Sequence, residues 1–129
     1  MGNEIEIALR LVLAAVLGGI IGFQRERTGK EAGIRTHILI CAGAALITIV
    51  SIYGFPGSDP SRVAAGIVTG IGFLGAGVIL HRSGGEVAGL TTAATIWAVA
   101  AIGLAAGAGL YVISVVATVL TLAVLFIPI

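Results

Sequence analysis

Charge is what this sequence most lacks. Only 10% of its 129 residues are charged, where a soluble domain carries about a quarter. So little charge excludes an ordinary water-exposed surface. A net charge of +1 points neither to nucleic acid nor to a strongly acidic partner. Cys41 is the single cysteine, so no disulfide forms within the chain and the redox compartment stays open. Catalytic groupings are missing too: there is no Ser/His/Asp set, no pair of buried carboxylates and no phosphate loop. The expectation is a protein that is not an enzyme, with no catalytic residue, cofactor or metal site. Glu4, Glu6, Glu26, Glu31, Asp59 and Glu86 are scattered along the loops and form no oxygen cage for magnesium. His37 and Cys41 stand one turn apart, a metal-compatible spacing, but two ligands without acidic company make a weak case.

What is present is apolar. Hydrophobic residues make up 58% of the chain, mean hydropathy is +1.17, and there are 20 glycines. Glycine is more frequent in membrane helices than in soluble ones. A membrane helix needs about 20 largely apolar residues. Residues 5–23, 37–53, 63–80, 90–105 and 110–127 supply five such segments, with the break between the last two at Gly103–Gly109. The expected fold is therefore all-α: one transmembrane domain over 1–129, a bundle of about five short helices. Leu11–Ile21 resembles a signal peptide, but Glu4 and Glu6 precede it where positive charge is wanted, so it reads as a retained first helix.

Orientation follows the basic residues. Arg25, Arg27, Lys30, Arg35 and Arg82 fall in loops on one side, against Arg10 and Arg62 on the other. That places the first group in the cytoplasm, the N-terminus outside and the C-terminus inside. A duplicated helix hairpin is also suggested: Ala32–Ala45 echoes Ala88–Ala101 with seven identities. Ala- and Gly-rich segments also match by chance.

Helices in lipid associate through small residues that allow close approach. In the third segment Ala65, Gly66, Thr69, Gly70, Gly72, Ala76 and Gly77 fall on one side and Ile67, Ile71, Leu74 and Val78 on the other. The small side is expected to be buried, which puts this helix at the centre of the bundle. In the first segment Ala14, Ala15, Gly18, Gly19 and Gly22 oppose Val12, Val16, Ile20 and Phe23. Arg10 lies on the packed side, either paired with Glu6 near the membrane surface or lining an internal cavity.

Two polar clusters are candidates for function. On the cytoplasmic side, Arg25, Glu26, Arg35, Thr36 and His37 join Thr91, Thr92 and Trp97 at the start of the fourth segment. Free N–H groups at two helix starts, with arginine near, would suit an anion, a carboxylate or a carbonyl. The plainer reading is topology signals and headgroup contacts. On the outer side, Asp59-Pro-Ser-Arg62 reads as a capped helix start, or as a polar mouth shared with Arg10. Gly70-Ile-Gly-Phe-Leu-Gly75 matches a dinucleotide fingerprint by letter, but it lacks the strand and acidic residue that motif needs.

Gly22-Phe-Gln-Arg-Glu26, Gly33-Ile-Arg-Thr36, the block Asp59–Ile79 and Val87-Ala-Gly-Leu-Thr-Thr-Ala-Ala-Thr-Ile-Trp97 resemble the signature blocks of the MgtC/SapB family. The resemblance implies a bacterial inner-membrane protein linked to magnesium, phosphate or ion homeostasis. It implies a regulator that contacts other membrane proteins, such as the ATP synthase or ion and phosphate uptake systems; the glycine-rich packing faces, with no ion cage evident, add the expectation that it works by helix contact with such partners and with itself as a homo-oligomer. A small transporter or channel, for an ion such as magnesium, is the competing expectation, and binding of anionic membrane lipid a third. The cytosolic C-terminal domain of many relatives is expected to be absent.

Overall fold

The computed structural model describes residues 2–81 and 87–128, so Arg82 and Glu86 lie outside the described residues. Five helices dominate: α1 (Gly2–Arg27), α2 (Ile34–Gly54), α3 (Ser61–Gly77), α4 (Leu90–Gly107) and α5 (Tyr111–Leu125). A short antiparallel ladder pairs Leu80 and His81 (β1) with Val87 and Ala88 (β2) between α3 and α4. α1, α2 and α4 are long and apolar enough to cross a membrane, while α3 and α5 are shorter apolar helices.

The helix ends have local causes. α1 continues through Arg25 and Arg27, residues expected in a loop, because glutamine, arginine and glutamate all favour helix. It stops where Gly29 turns left-handed (φ 69°), Lys30 N–H returns to the Arg25 carbonyl and Gly29 N–H to that of Glu26. The same closure ends α4: Gly109 has φ 87°, Leu110 N–H reaches the Ala105 carbonyl and Gly109 N–H that of Ala106. The break thus falls at Ala108–Leu110, leaving Gly103 and Gly107 inside α4.

Successive helices run up and down. Gly18 of α1 lies against His37 and Cys41 of α2, and Gly22 against Ile34, which makes that pair antiparallel. Gly103 and Gly107 of α4 meet Cys41 and Ala45 in turn, so α2 and α4 run side by side in the same direction. One end of the bundle gathers the starts of α1 and α5 with the ends of α2 and α4. The other, called here the loop end, gathers the α1–α2 loop, the start of α4 and the end of α5.

The central helix is α4, which packs on all four others, not α3 as expected. The core is Ala14, Leu17 and Ile21 with Cys41, Ala44, Ala45, Ile96, Val99, Ile102 and Ala106. Val12, Val16, Ile20 and Phe23 face outward, as the division of α1 predicts. For α3 the expectation is reversed in the main. Leu74 is exposed as expected, but Ile67 is buried and Ile71 and Val78 are half-buried, while among the described residues a Cβ at Gly66, Gly70, Gly72 or Gly77 would meet nothing within 4 Å. The close approaches are made by α1 on α2 and α2 on α4, so among the described residues no helix covers the small face of α3.

Candidate functional site

At the loop end, the last turn of α1 carries Arg25 inward, where it is 3% exposed. Its Nη2 donates to Thr92 Oγ1 at 2.7 Å, and that hydroxyl donates to Glu31 Oε1 at 2.7 Å. Accepting from a guanidinium leaves the Thr92 hydrogen free for a carboxylate, so the order of donors in this chain is fixed. The bond from Thr92 holds Glu31 below the ordinary carboxylate range, with its own backbone N–H adding to the effect. Among the described residues, Arg25 Nε has no hydrogen-bond partner, nor do Gln24 Oε1 and His37 Nε2.

His37 is fully buried on α2, with Nδ1 2.8 Å from the Gly33 carbonyl. Glu26 turns back over the loop: its Oε1 accepts from Ile34 N–H at 3.2 Å. The first turn of α2 is therefore served partly by the chain's own carboxylate, not held open for a ligand. Arg35 and Thr36 are exposed with no side-chain hydrogen bond among the described residues, and Thr91 is exposed beside the buried Thr92. Trp97 does not join the cluster. It stands in a small crevice of about 30 Å³ with Ile67, Val68 and Ile71 of α3, so it packs α3 onto α4. Glu31, absent from the expected set, is the member that sequence reading missed; its place two residues after the left-handed Gly29 is the signal that the loop folds it back.

The opposite end holds Arg10, 9% exposed. It forms an ion pair with Glu6, including Nη2 to Oε1 at 2.8 Å, and Nη1 donates to the Gly107 carbonyl at 3.0 Å. Tyr111 donates to Glu6, and the guanidinium lies 5.5 Å from the centre of the Tyr53 ring. Asp59 and Arg62 are not among these partners. Asp59 Oδ1 accepts from Ser61 N–H at 3.0 Å and Ser61 Oγ at 2.9 Å, which holds its carboxyl below the ordinary range. Pro60 already has helical angles (φ −63°, ψ −22°), so the motif starts α3 and Arg62 stays exposed.

Of the expected packing glycines, Gly18 and Gly22 sit at crossings: a Cβ would fall 2.5 Å from the His37 carbonyl oxygen and 2.7 Å from Ile34 Cα. Gly103 and Gly107, unexpected in this role, are equally tight against Cys41 and Ala45. Their four-residue spacing was the signal, obscured by lying in a stretch that reads as a break. Between α2 and α3 a groove of about 450 Å³, almost wholly apolar, is left open along Gly43, Gly66 and Gly70. Among the described residues, no three His, Cys, Asp or Glu side chains gather as a metal site.

The MgtC family description matches residues 11–128. YhiD of Escherichia coli, whose name marks it as a candidate magnesium transporter, is 52% identical over 93% of this chain and 59% of its own length. SapB of Bacillus subtilis is 46% identical over 82% of the chain and 49% of its own length. MgtC of Brucella abortus is 50% identical over 86% of the chain and 46% of its own length. The chain thus spans about half the length of these relatives. No solved structure matches it. With five apolar helices and this extent of similarity, the chain is a membrane protein that belongs to the MgtC family.

Proposed function

We propose that this chain is a regulatory membrane subunit acting by lateral helix contact, with a second copy of itself or with another membrane protein. It resides in the bacterial inner membrane, with the loop end cytoplasmic and the N-terminus outside. The observation that carries the reading is the uncovered glycine face of α3, where Gly66 and Gly70 line an open groove and, among the described residues, have no neighbour within 4 Å of a would-be Cβ. Small residues with no helix against them are the faces through which membrane helices associate. The magnesium in the name of the Escherichia coli relative supports placing this contact in magnesium homeostasis.

Membrane cross-linking tests it. Gly66→Leu and Gly70→Leu fill the groove from outside the core, so the fold stays intact and the cross-linked species disappears. Unchanged cross-linking would sink the proposal.

Transport is the second reading, favoured by the name of the Escherichia coli relative and by a buried arginine towards each end of α1, Arg10 and Arg25. Between those two residues Ala14, Leu17, Ile21, Ile96 and Val99 are close-packed and apolar, which favours the regulatory reading. Saturable magnesium flux in proteoliposomes of the purified chain would reverse that preference.

A further inference from the structure

We propose that the loop end binds a phosphate oxyanion, in the form of an anionic phospholipid headgroup. The site is a cavity of about 540 Å³ between the end of α1, the start of α4 and the end of α5. It is independent of the α3 groove and of the function proposed for it.

The cavity is lined by a mismatch of donors and acceptors. Arg25 spends one N–H on Thr92, and its Nε has no partner among the described residues although Arg25 is 3% exposed. A guanidinium carries five N–H donors and no acceptor, so a buried one with a single bond is far from satisfied. Lys30 and Thr91 line the same cavity, and neither side chain has a hydrogen bond among the described residues. Thr28, also on the wall, does not compete as a donor, because its hydroxyl is committed to the Gln24 and Arg25 carbonyls at 3.0 and 3.1 Å. Glu31 is not on the wall; its carboxylate is held on the Thr92 hydroxyl, where it offsets part of the charge of Arg25 and Lys30 but takes no N–H from either among the described residues. Three donor side chains, two of them cationic, therefore converge on one space. Arginine and lysine together match the several oxygens of a phosphate better than one carboxylate.

The remaining wall selects an amphiphile. Val124, Leu125 and Ile127 close the cavity on the α5 side. An adjoining cavity of about 380 Å³ shares Gln24 and Thr28 and is walled by Phe23 and Phe126, both largely exposed on the outer face. A glycerophosphate group seated on Arg25 and Lys30 would lead its acyl chains out past these rings. The unpartnered Gln24 Oε1 would accept from a headgroup hydroxyl. Basic residues at the end of a membrane helix gather anionic lipid in general; here a cavity gives one lipid a defined seat.

The test is thermal unfolding of the purified full chain in detergent, titrated with phosphatidylglycerol, with diacylglycerol of the same chains, and with inorganic phosphate. A ligand that binds only the folded state raises the midpoint in a saturable way. Phosphatidylglycerol is expected to do so and diacylglycerol not. The double variant Lys30→Gln/Thr91→Val keeps the Arg25–Thr92 bond, so it folds, and should weaken the apparent affinity about tenfold. A shift from phosphatidylglycerol alone identifies the lipid, and an equal shift from inorganic phosphate identifies the free anion at the same donors. No shift from either, an equal shift from diacylglycerol, or full affinity in the double variant overturns the site.

Discussion

Arg25 and Thr92 are 67 positions apart in sequence and joined by a 2.7 Å bond that ties the last turn of α1 to the first turn of α4. The hydroxyl is the hinge of the loop end, because it satisfies a buried cation and a loop carboxylate together. Thr92→Val keeps the shape and removes both bonds, leaving Arg25 buried with no partner. A lost bond to a buried charged group costs about 1.5–3 kcal/mol. The unfolding midpoint of Thr92→Val should fall by several degrees, whereas Thr92→Ser should stay near the parent. A parent-like midpoint in Thr92→Val with a loss in Thr92→Ser would mean that packing of the methyl group matters, not the hydroxyl.

Glu31 gives this network a pH dependence. Its carboxyl is held below the ordinary value near 4.5 mainly by the Thr92 hydroxyl. The unfolded chain therefore takes up a proton before the folded one does, and stability rises with pH across that interval. The stabilisation is complete above about pH 5 and is lost as pH falls through the depressed folded value. Midpoints should be level from neutrality to about pH 5 and then decline. That decline should be shallower in Glu31→Gln and in Thr92→Val; the same slope in all three proteins would remove Glu31 as the cause.

Glycines of one composition divide into two mechanical classes. A Cβ at Gly107 would lie 2.6 Å from the Ala45 carbonyl oxygen and 2.9 Å from its Cα, so Gly107→Ala must push α4 off α2. At Gly66 the same atom enters open space. There the intrinsic preference of a helix for alanine over glycine, about 1 kcal/mol, acts unopposed. Gly107→Ala should lower the unfolding midpoint by several degrees, and Gly66→Ala should leave it level or raise it. The reverse order would mean that α3, not α4, is the packed helix.

The five helices were legible because apolar runs of that length have few other uses, and the outward set Val12, Val16, Ile20 and Phe23 was legible from helical spacing alone. Which small face finds a partner was not. Gly66 and Gly70 on α3 look the same in sequence as Gly18 and Gly22 on α1, and only the arrangement of neighbours separates them. Within the polar clusters, Arg25, Thr92 and Arg10 stood out as ionisable or hydroxyl groups in apolar surroundings. Their partners did not, because Glu31 reaches Thr92 by a turn of the loop and Arg10 reaches Gly107 through a backbone carbonyl that no side-chain pattern encodes.

Arg10 carries the last prediction. Its fork is used on three sides at once: the Glu6 carboxylate, the Gly107 carbonyl and the face of Tyr53. A lysine brings the same charge but a single ammonium, which cannot serve a bidentate carboxylate and a carbonyl together. Arg10→Lys should therefore cost about 1–2 kcal/mol despite the conserved charge. Arg10→Ala should cost more, since it also leaves the Gly107 carbonyl without its donor where α4 ends. Tyr53→Leu removes only the ring face and should cost about 0.5–1 kcal/mol. Unfolding midpoints of the three variants in one detergent read this order directly. If Arg10→Lys matches the parent, the side chain serves only as a charge at the membrane surface, and the α1–α4 contact at this end is held by Gly107 and its neighbours without it.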